Sequence, residues 1–322
     1  MANKALSGIA HQISPIQKKL LLSLAASAKP ISGEFLAKEL GVSRAAVWKQ
    51  LAGLKKFSIP IMGSPHRGYL CKNFDLSLLS FEPAHYFLEV ESTQILAKQA
   101  AEKGALEGEL WVAERQRNGK GRLSRHWESP VGGLWFSIVL KPALSPQDIG
   151  SLSLLAGLTM AQSINDLYQL PIKLKWPNDL VIQTPKGWRK VSGLLTELSA
   201  EVGRIHWIVL GIGVNCNNNI PSTLSDIAES MYKVTSKKIV RADLLKHFVE
   251  TFSRTYKLYI EQGFSTFNEA YWRSYFAPGG LITLKTARGI IQGRAVGVDR
   301  SGALLVESEN SVTSYFEGEI IL

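Results

Sequence analysis

The sequence predicts an α+β chain in three parts: a basic helical unit ending in a β-hairpin, a mixed α/β body, and a short all-β piece. Three observations carry this. Positive charge gathers in the first quarter, strand-like and helix-like segments mix through the middle, and only short strand-like runs come after Leu281. At roughly 100–200 residues per domain, 322 residues suit two or three domains. We place them at 1–75, 76–276 and 277–322. Hydrophobic residues make up 45% and charged residues 20%, values that exclude collagen-like, coiled-coil and wholly disordered chains. No run of 18 apolar residues exists, so no membrane partner is expected. Two cysteines, Cys71 and Cys216, cannot form a disulfide scaffold and fit a reducing, cytoplasmic setting. The six histidines are scattered, with no H-E-x-x-H and no C-x-x-C, so no resident metal site is expected from them.

The net charge of +10 is unevenly spread. Residues 1–75 hold eleven Lys/Arg against three acids, a net +8, which leaves +2 for the remainder. Such a basic quarter on a near-neutral body suits a polyanion partner for that quarter alone. Lys18-Lys19 before Leu20–Ala26 imitates a short signal-peptide core. Its apolar spacing also suits a buried helix, and the segment after it reads as a DNA-binding pattern, so the signal reading is rejected.

Gly33 to Lys56 carries that pattern. Leu36 and Leu40 lie four apart on one helical face. Gly41 suits a left-handed helix end, and Ser43 suits the cap of the next helix. Val47, Leu51 and Leu54 then repeat at helical spacing. This is the spacing of a helix-turn-helix, and Ile59–Leu70, with Gly63-Ser64-Pro65 and Arg67-Gly68, reads as a hairpin wing. Arg44, Lys49 and Arg67 are the candidate DNA contacts. A helical hairpin for protein contact is the alternative.

In the body, strands are read at Leu88–Val90, Leu110–Ala113, Leu134–Leu140, Ile172–Trp176, Leu180–Ile182, Ser192–Leu198 and Ile205–Val214. Helices are read at Thr93–Lys103, capped by Ser92, at a buried Ile149–Tyr168, and at an amphipathic Ala242–Tyr259. There is no G-x-S-x-G and no Walker lysine motif. Gly211-Ile212-Gly213 fails the dinucleotide fingerprint because Val214-Asn215-Cys216 comes next. Three segments remain. Gln116–Trp127 reads as a mobile cationic loop with glycines and an aromatic end, suited to carboxylate or phosphate. Lys175-Trp176-Pro177-Asn178-Asp179 presents an acid at a turn, and Arg189–Gly193 sets a lysine before a strand. Taken singly, each is equally a surface loop, a turn or a solvated lysine.

Their order and spacing resemble the biotin protein ligases. The likeness begins at Glu91-Ser92-Thr93-Gln94 and runs through Gly119-Lys120-Gly121-Arg122, KWPND, RKVSG and GIGVN into the C-terminal piece. With the helix-turn-helix it resembles the bifunctional bacterial type, ligase and biotin operon repressor in one chain. The resemblance implies a body of the biotin/lipoate ligase type and a small SH3-like β-barrel over Leu281–Leu322. It implies that biotin and MgATP give biotinyl-5′-adenylate, whose acyl group passes to a lysine of a biotin carboxyl carrier domain. ATP and Mg²⁺ are the expected cofactors, and carrier domain and operator DNA the partners, with a homodimer when adenylate is bound. Ser92, Thr93, Gln94, Gln116, Lys120, Gly121, Arg122 and Lys190 are the implied biotin residues, Trp127 and Asn215 the adenylate residues. Arg122 and Lys190 suit the charge that builds during attack on the α-phosphate. Asp179 either deprotonates the incoming lysine or binds Mg²⁺. Lys120 stands where an arginine is common, giving one ammonium in place of a bidentate fork. Residues 217–230 hold no tryptophan, so no aromatic lid is expected from them. The alternatives are a lipoate-type ligase and a ligand-sensing repressor without ligase activity.

Overall fold

The computed structural model describes residues 10–64, 66–71, 75, 77–81, 84–145, 148–201, 204–309 and 311–321. Lys4, Pro65, Lys72 and Leu322, which enter the charge, wing and last-strand readings, lie outside them.

The N-terminal unit opens with β1 (Ala10–Gln12) and α1 (Pro15–Ala25). Ser14 and Gln17 form a reciprocal capping box, with Pro15 in the first turn. Leu20, Leu21 and Leu24 are wholly buried. Each contributes roughly 1.5–3 kcal/mol over exposure, so the signal-like segment is a core helix. Helices α2 (Gly33–Leu40) and α3 (Arg44–Lys55) turn at Gly41, which is left-handed with φ 65°. The Ser43 hydroxyl caps α3 by accepting from the Ala46 N–H at 3.1 Å. Strands β2 (Ile61–Ser64) and β3 (Gly68–Cys71) pair antiparallel as the wing. Arg44, Lys49 and Arg67 are all exposed on this unit.

The body is a ten-stranded sheet. In chain order its own strands are β4 (Ala84–Val90), β5 (Leu110–Ala113), β6 (Gln116–Lys120), β7 (His126–Ser129), β8 (Leu134–Leu140), β9 (Lys173–Lys175), β10 (Asp179–Thr184), β11 (Gly187–Glu201) and β12 (Arg204–Val214). They lie in the order β7-β6-β4-β5-β8-β12-β11-β10-β9, and β1 adds antiparallel to β4. Only β4–β5 and β4–β6 are parallel among the described residues. Alternate residues divide the core. Leu110, Val112, Leu210 and Ile212 face α5 (Ile149–Tyr168) and α7 (Arg241–Gln262). Trp111, Ala113, Trp207 and Val209 face α4 (Thr93–Glu102). Two short helices, α6 (Met231–Thr235) and α8 (Asn268–Ser274), complete the body. No described helix is long and apolar enough to cross a membrane.

Two expectations are corrected by the structure. Ser92 stands at the start of α4 and is buried, but its hydroxyl makes no capping bond to the helix. The cationic loop is a hairpin, β6 and β7 joined by a turn at Arg122–Ser124.

The C-terminal piece has β13 (Leu281–Thr286), β14 (Gly289–Val298), β15 (Leu304–Ser308), β16 (Ser311–Tyr315) and β17 (Glu319–Ile321). Their order is β16-β15-β14-β13-β17, all antiparallel. The outer strands β16 and β17 do not pair among the described residues, so the expected barrel is an open, small sheet. Trp176 Nε1 donates to Gly302 O at 2.9 Å and docks this sheet on the body.

Candidate active site

The centre of the sheet makes the floor of the site. The β11–β12 register sets Gly193 opposite Gly213 and Leu195 opposite Gly211. A side chain at Gly211 or Gly213 would collide with the groups lying over it, and one at Gly193 would press on Trp127 and Lys190 at 3.0–3.2 Å. A Cβ on Gly213 would sit 2.5 Å from Trp127 Nε1, and one on Gly211 2.3 Å from Gln94 Oε1. The glycines that fail as a dinucleotide fingerprint therefore flatten the strands beneath an indole and an amide.

A polar network lines one wall. Gln116 Oε1 accepts from the Thr93 N–H at 2.8 Å and from its hydroxyl at 3.1 Å. Thr93 Oγ1 meets Ser137 Oγ at 2.9 Å, and Ser137 donates to Gln94 Oε1 at 3.0 Å. Gln94 Nε2 donates to Val209 O at 3.0 Å, and Gln116 Nε2 to Ser129 Oγ at 2.8 Å. The chain of bonds fixes α4, β6, β8 and β12 against one another.

The opposite wall is charged. Lys190 Nζ lies 2.7 Å from Asp179 Oδ1, as an ion pair rather than an aligned hydrogen bond. The same ammonium stands 4.8 Å over the Trp127 ring. Lys190 is gripped by its backbone too: its N–H donates to Ile227 O, and its carbonyl accepts from Glu229 N–H. Arg122 Nη1 donates to Asn178 Oδ1 at 3.2 Å, while Asn178 Nδ2 donates to Leu194 O at 2.7 Å. Burial pulls the Arg122 guanidinium below its ordinary range, with Asp179 opposing. Arg125 forms a bidentate pair with Glu319 at 2.9 and 2.7 Å, and its bonds and charge hold that carboxyl below the usual range. Lys175 is also lowered by burial, and no ion pair within 4 Å engages it among the described residues.

These walls enclose a cavity of about 920 Å³. Ser92, Thr93, Gln94, Gln116, Lys120 and Gly121 line it, as do Arg122, Trp127, Asp179, Lys190 and Asn215. The structure thus brings every sequence-selected ligand residue to one chamber. Arg44, Lys49 and Arg67 are not among its lining residues. Sequence reasoning missed Ser137, Asn178, Lys175 and Glu319. Asn178 and Lys175 stood inside the KWPND segment already singled out. Ser137 and Glu319 carried no local signal.

Three family models match the chain: an HTH domain at residues 17–70, the biotin/lipoate A/B protein ligase family at 86–215, and the biotin protein ligase C terminal domain at 282–322. The bifunctional ligase/repressor BirA of Bacillus subtilis is 34% identical, covering 91% of this chain and 94% of its own length. That of Escherichia coli is 27% identical, covering 94% and 96%. The solved biotin protein ligase from Aquifex aeolicus in complex with biotin and ATP superposes with TM-score 0.66 at 32% identity, over 75% of this chain and 98% of that one. With a relative this similar along almost its whole length, the chain belongs to the BirA family of bifunctional ligase/repressors.

Proposed function

We propose that the chain activates biotin with ATP to biotinyl-5′-adenylate and transfers biotin to a lysine of a biotin carboxyl carrier domain. We also propose that it binds operator DNA as a repressor of biotin synthesis genes, with the adenylate as corepressor and with dimerisation on binding it. One observation carries the ligase reading: the Lys190–Asp179 pair, the Trp127 indole on its glycine floor and the Thr93–Gln116–Ser137 network face a single chamber.

These groups suggest the chemistry. Ser92, Thr93, Gln94, Gln116, Lys120 and Gly121 hold biotin, with Thr93 and Ser137 offering hydroxyls to its ureido end. A biotin carboxylate oxygen attacks the α-phosphorus, the α–β anhydride bond breaks, and pyrophosphate leaves. Lys190 and Arg122 are fixed cations for the charge on the α-phosphate. Lys175, facing the same chamber with no ion-pair partner among the described residues, suits the departing diphosphate. Trp127 and Asn215 receive the adenosine. In the second step a neutral carrier amine attacks the acyl carbon and AMP leaves. No covalent enzyme nucleophile is needed, since the mixed anhydride is already activated. Asp179 serves either as the base that takes the amine proton or as a Mg²⁺ ligand. Mg²⁺ binds one or two carboxylates plus phosphate oxygens. In the second role Asp179 would share the ion with the triphosphate, where the ion would supply charge neutralisation.

The test is incubation with ATP, Mg²⁺ and either biotin or lipoate. Pyrophosphate and acyl-adenylate with biotin alone support the reading. Product with lipoate alone moves the chain to the lipoate ligases, and none with either leaves a ligand-sensing repressor. For the DNA half, the expected result is salt-dependent binding to a two-half-site operator, strengthened by biotin with ATP.

A further inference from the structure

Arg241 has no part in this chemistry, yet its side chain is completely buried and all five of its N–H groups are used. Nε donates to Asp75 Oδ2 at 2.9 Å. Nη1 donates to Glu114 Oε2 and to Gly133 O, each at 2.9 Å. Nη2 donates to Glu114 Oε1 at 2.9 Å and to Asp75 O. The Arg241 backbone N–H gives Asp75 Oδ2 a further bond at 2.9 Å. Burying one cation and two carboxylates is expensive, and well-packed apolar side chains often hold such a site as well or better. What the charges add is a fixed geometry among the pieces they join.

Those pieces are telling. Asp75 lies between the wing strand β3 and the first body strand β4, on the tether that carries the DNA-binding unit. The next part of the tether is docked with it: the Ser77 N–H donates to Asp75 Oδ1, and Ser77 Oγ accepts from the Ala242 N–H. Glu114 comes after β5, just ahead of the cationic hairpin that begins at Gln116. Gly133 precedes Trp135, whose ring meets Trp127 edge-on at 6.4 Å. A second path runs beside the first. The Asn217 side chain makes two bonds with the Ile239 backbone, just before Arg241, and Asn217 N–H donates to Gly132 O at 2.9 Å. Its neighbours Asn215 and Asn218 line the chamber.

We infer that Arg241 is a positioning residue that fastens the tether of the DNA-binding unit to Glu114 and Gly133, which lead into the chamber-lining residues Gln116 and Ser137, so that ligand held by those segments is felt at Asp75. The inference rests on the ligase reading for its ligands, biotin and ATP. Coupling of this kind is reciprocal: what ligand does to the tether, release of the tether must do to ligand affinity by the same factor.

The test is hydrogen exchange on the full chain with and without biotin and MgATP, read in peptides spanning 66–81 and 210–220. In the wild type both are expected to slow on ligand binding. Asp75→Ala leaves Arg241 paired with Glu114. Its pyrophosphate release should stay within about threefold, and peptide 210–220 should still respond to ligand. Peptide 66–81 should exchange about tenfold faster and no longer respond. Asp75→Asn keeps an oxygen toward Nε and should restore part of the response, which mere structural damage does not predict. It also serves if the alanine variant fails to fold. An unresponsive wild-type tether overturns the inference, as does an Asp75→Ala tether that responds as the wild type does. A wild type that releases no pyrophosphate overturns the ligase reading instead, and the coupling is then read with biotin alone.

Discussion

Arg241 and Lys190 are both cations anchored to carboxylates, at 2.9 and 2.7 Å, but they are finished in opposite ways. Arg241 is sealed at 0% exposure with every donor occupied. Lys190 keeps 29% of its side chain open, with one carboxylate and one ring face for company. An ammonium has three donors, so Lys190 retains capacity that a ligand can take up. A saturated cation specifies shape, and an unsaturated one is left for chemistry. Exposed cations such as Arg44 form a third class, available to any passing polyanion.

Substitutions at the two cations can break this contrast. The largest effect belongs to Arg241→Met, which strands two buried carboxylates. It should cost about 3–5 kcal/mol in urea unfolding, whereas Lys190→Ala should barely move the midpoint. Equal losses from the two would end the contrast. Next comes Lys190→Ala in catalysis, expected to slow adenylation about 10²–10³-fold. Near-normal pyrophosphate release by a folded variant would remove Lys190 from the chemistry. Arg44→Ala should leave stability and ligation alone and lower the salt-dependence slope of DNA binding by about 1. An unchanged slope would take Arg44 off the phosphate backbone.

Acid sharpens the same contrast. Burial alone would raise the Asp75 carboxyl, but Arg241 and three hydrogen bonds hold it below the usual range. Its stabilisation is therefore complete above the unfolded carboxylate value of about 3.9 and is lost as pH falls through the depressed folded value. In urea melts at falling pH, Asp75→Asn should flatten that acid limb. A parallel limb would mean that Asp75 does not carry it. The smallest effect is that of Glu319→Gln. Its pair with Arg125 is 46% and 60% exposed, worth about 0–1 kcal/mol. The readout is tryptic cleavage after Arg125, faster in the variant and slowed by biotin with ATP in both. Equal cleavage rates with and without ligand would show that ligand does not order the hairpin tip.

What was legible in the sequence was local. The Gly41–Ser43 turn, the acid after the KWPND turn and the strand Leu134–Leu140 are each set by residues a few positions apart, and the structure has them where the pattern put them; Lys190, read as standing before a strand, lies inside β11, which begins at Gly187. Distance in the chain defeated the rest. Arg122 meets Asn178 56 residues away, Arg241 meets Glu114 at 127 and Asp75 at 166, and Arg125 meets Glu319 at 194. Strand β1 is three residues, Ala-His-Gln, with no alternation to announce it. Arg241 did leave a trace. It falls in phase with Leu244, Leu245, Phe248 and Phe252, all buried on α7, so a cation stood on an apolar stripe. That is the signature of a paired buried charge.

The glycine floor sets a trap for anyone optimising this protein. Gly193 and Gly213 face each other in paired strands, where β-branched residues are ordinarily favoured and glycine is a weak choice. A consensus or propensity score would nominate valine at both, on the expectation of a sheet that melts later. But the space over these glycines is already filled by Trp127, and Gly193 also has the Lys190 side chain within 3.1 Å of where its Cβ would stand. Valine at Gly213 would push the indole out of place, and valine at Gly193 would crowd both the indole and the Lys190 stem. A propensity score alone would therefore misjudge these two positions, and variants here must be judged by turnover as well as by melting.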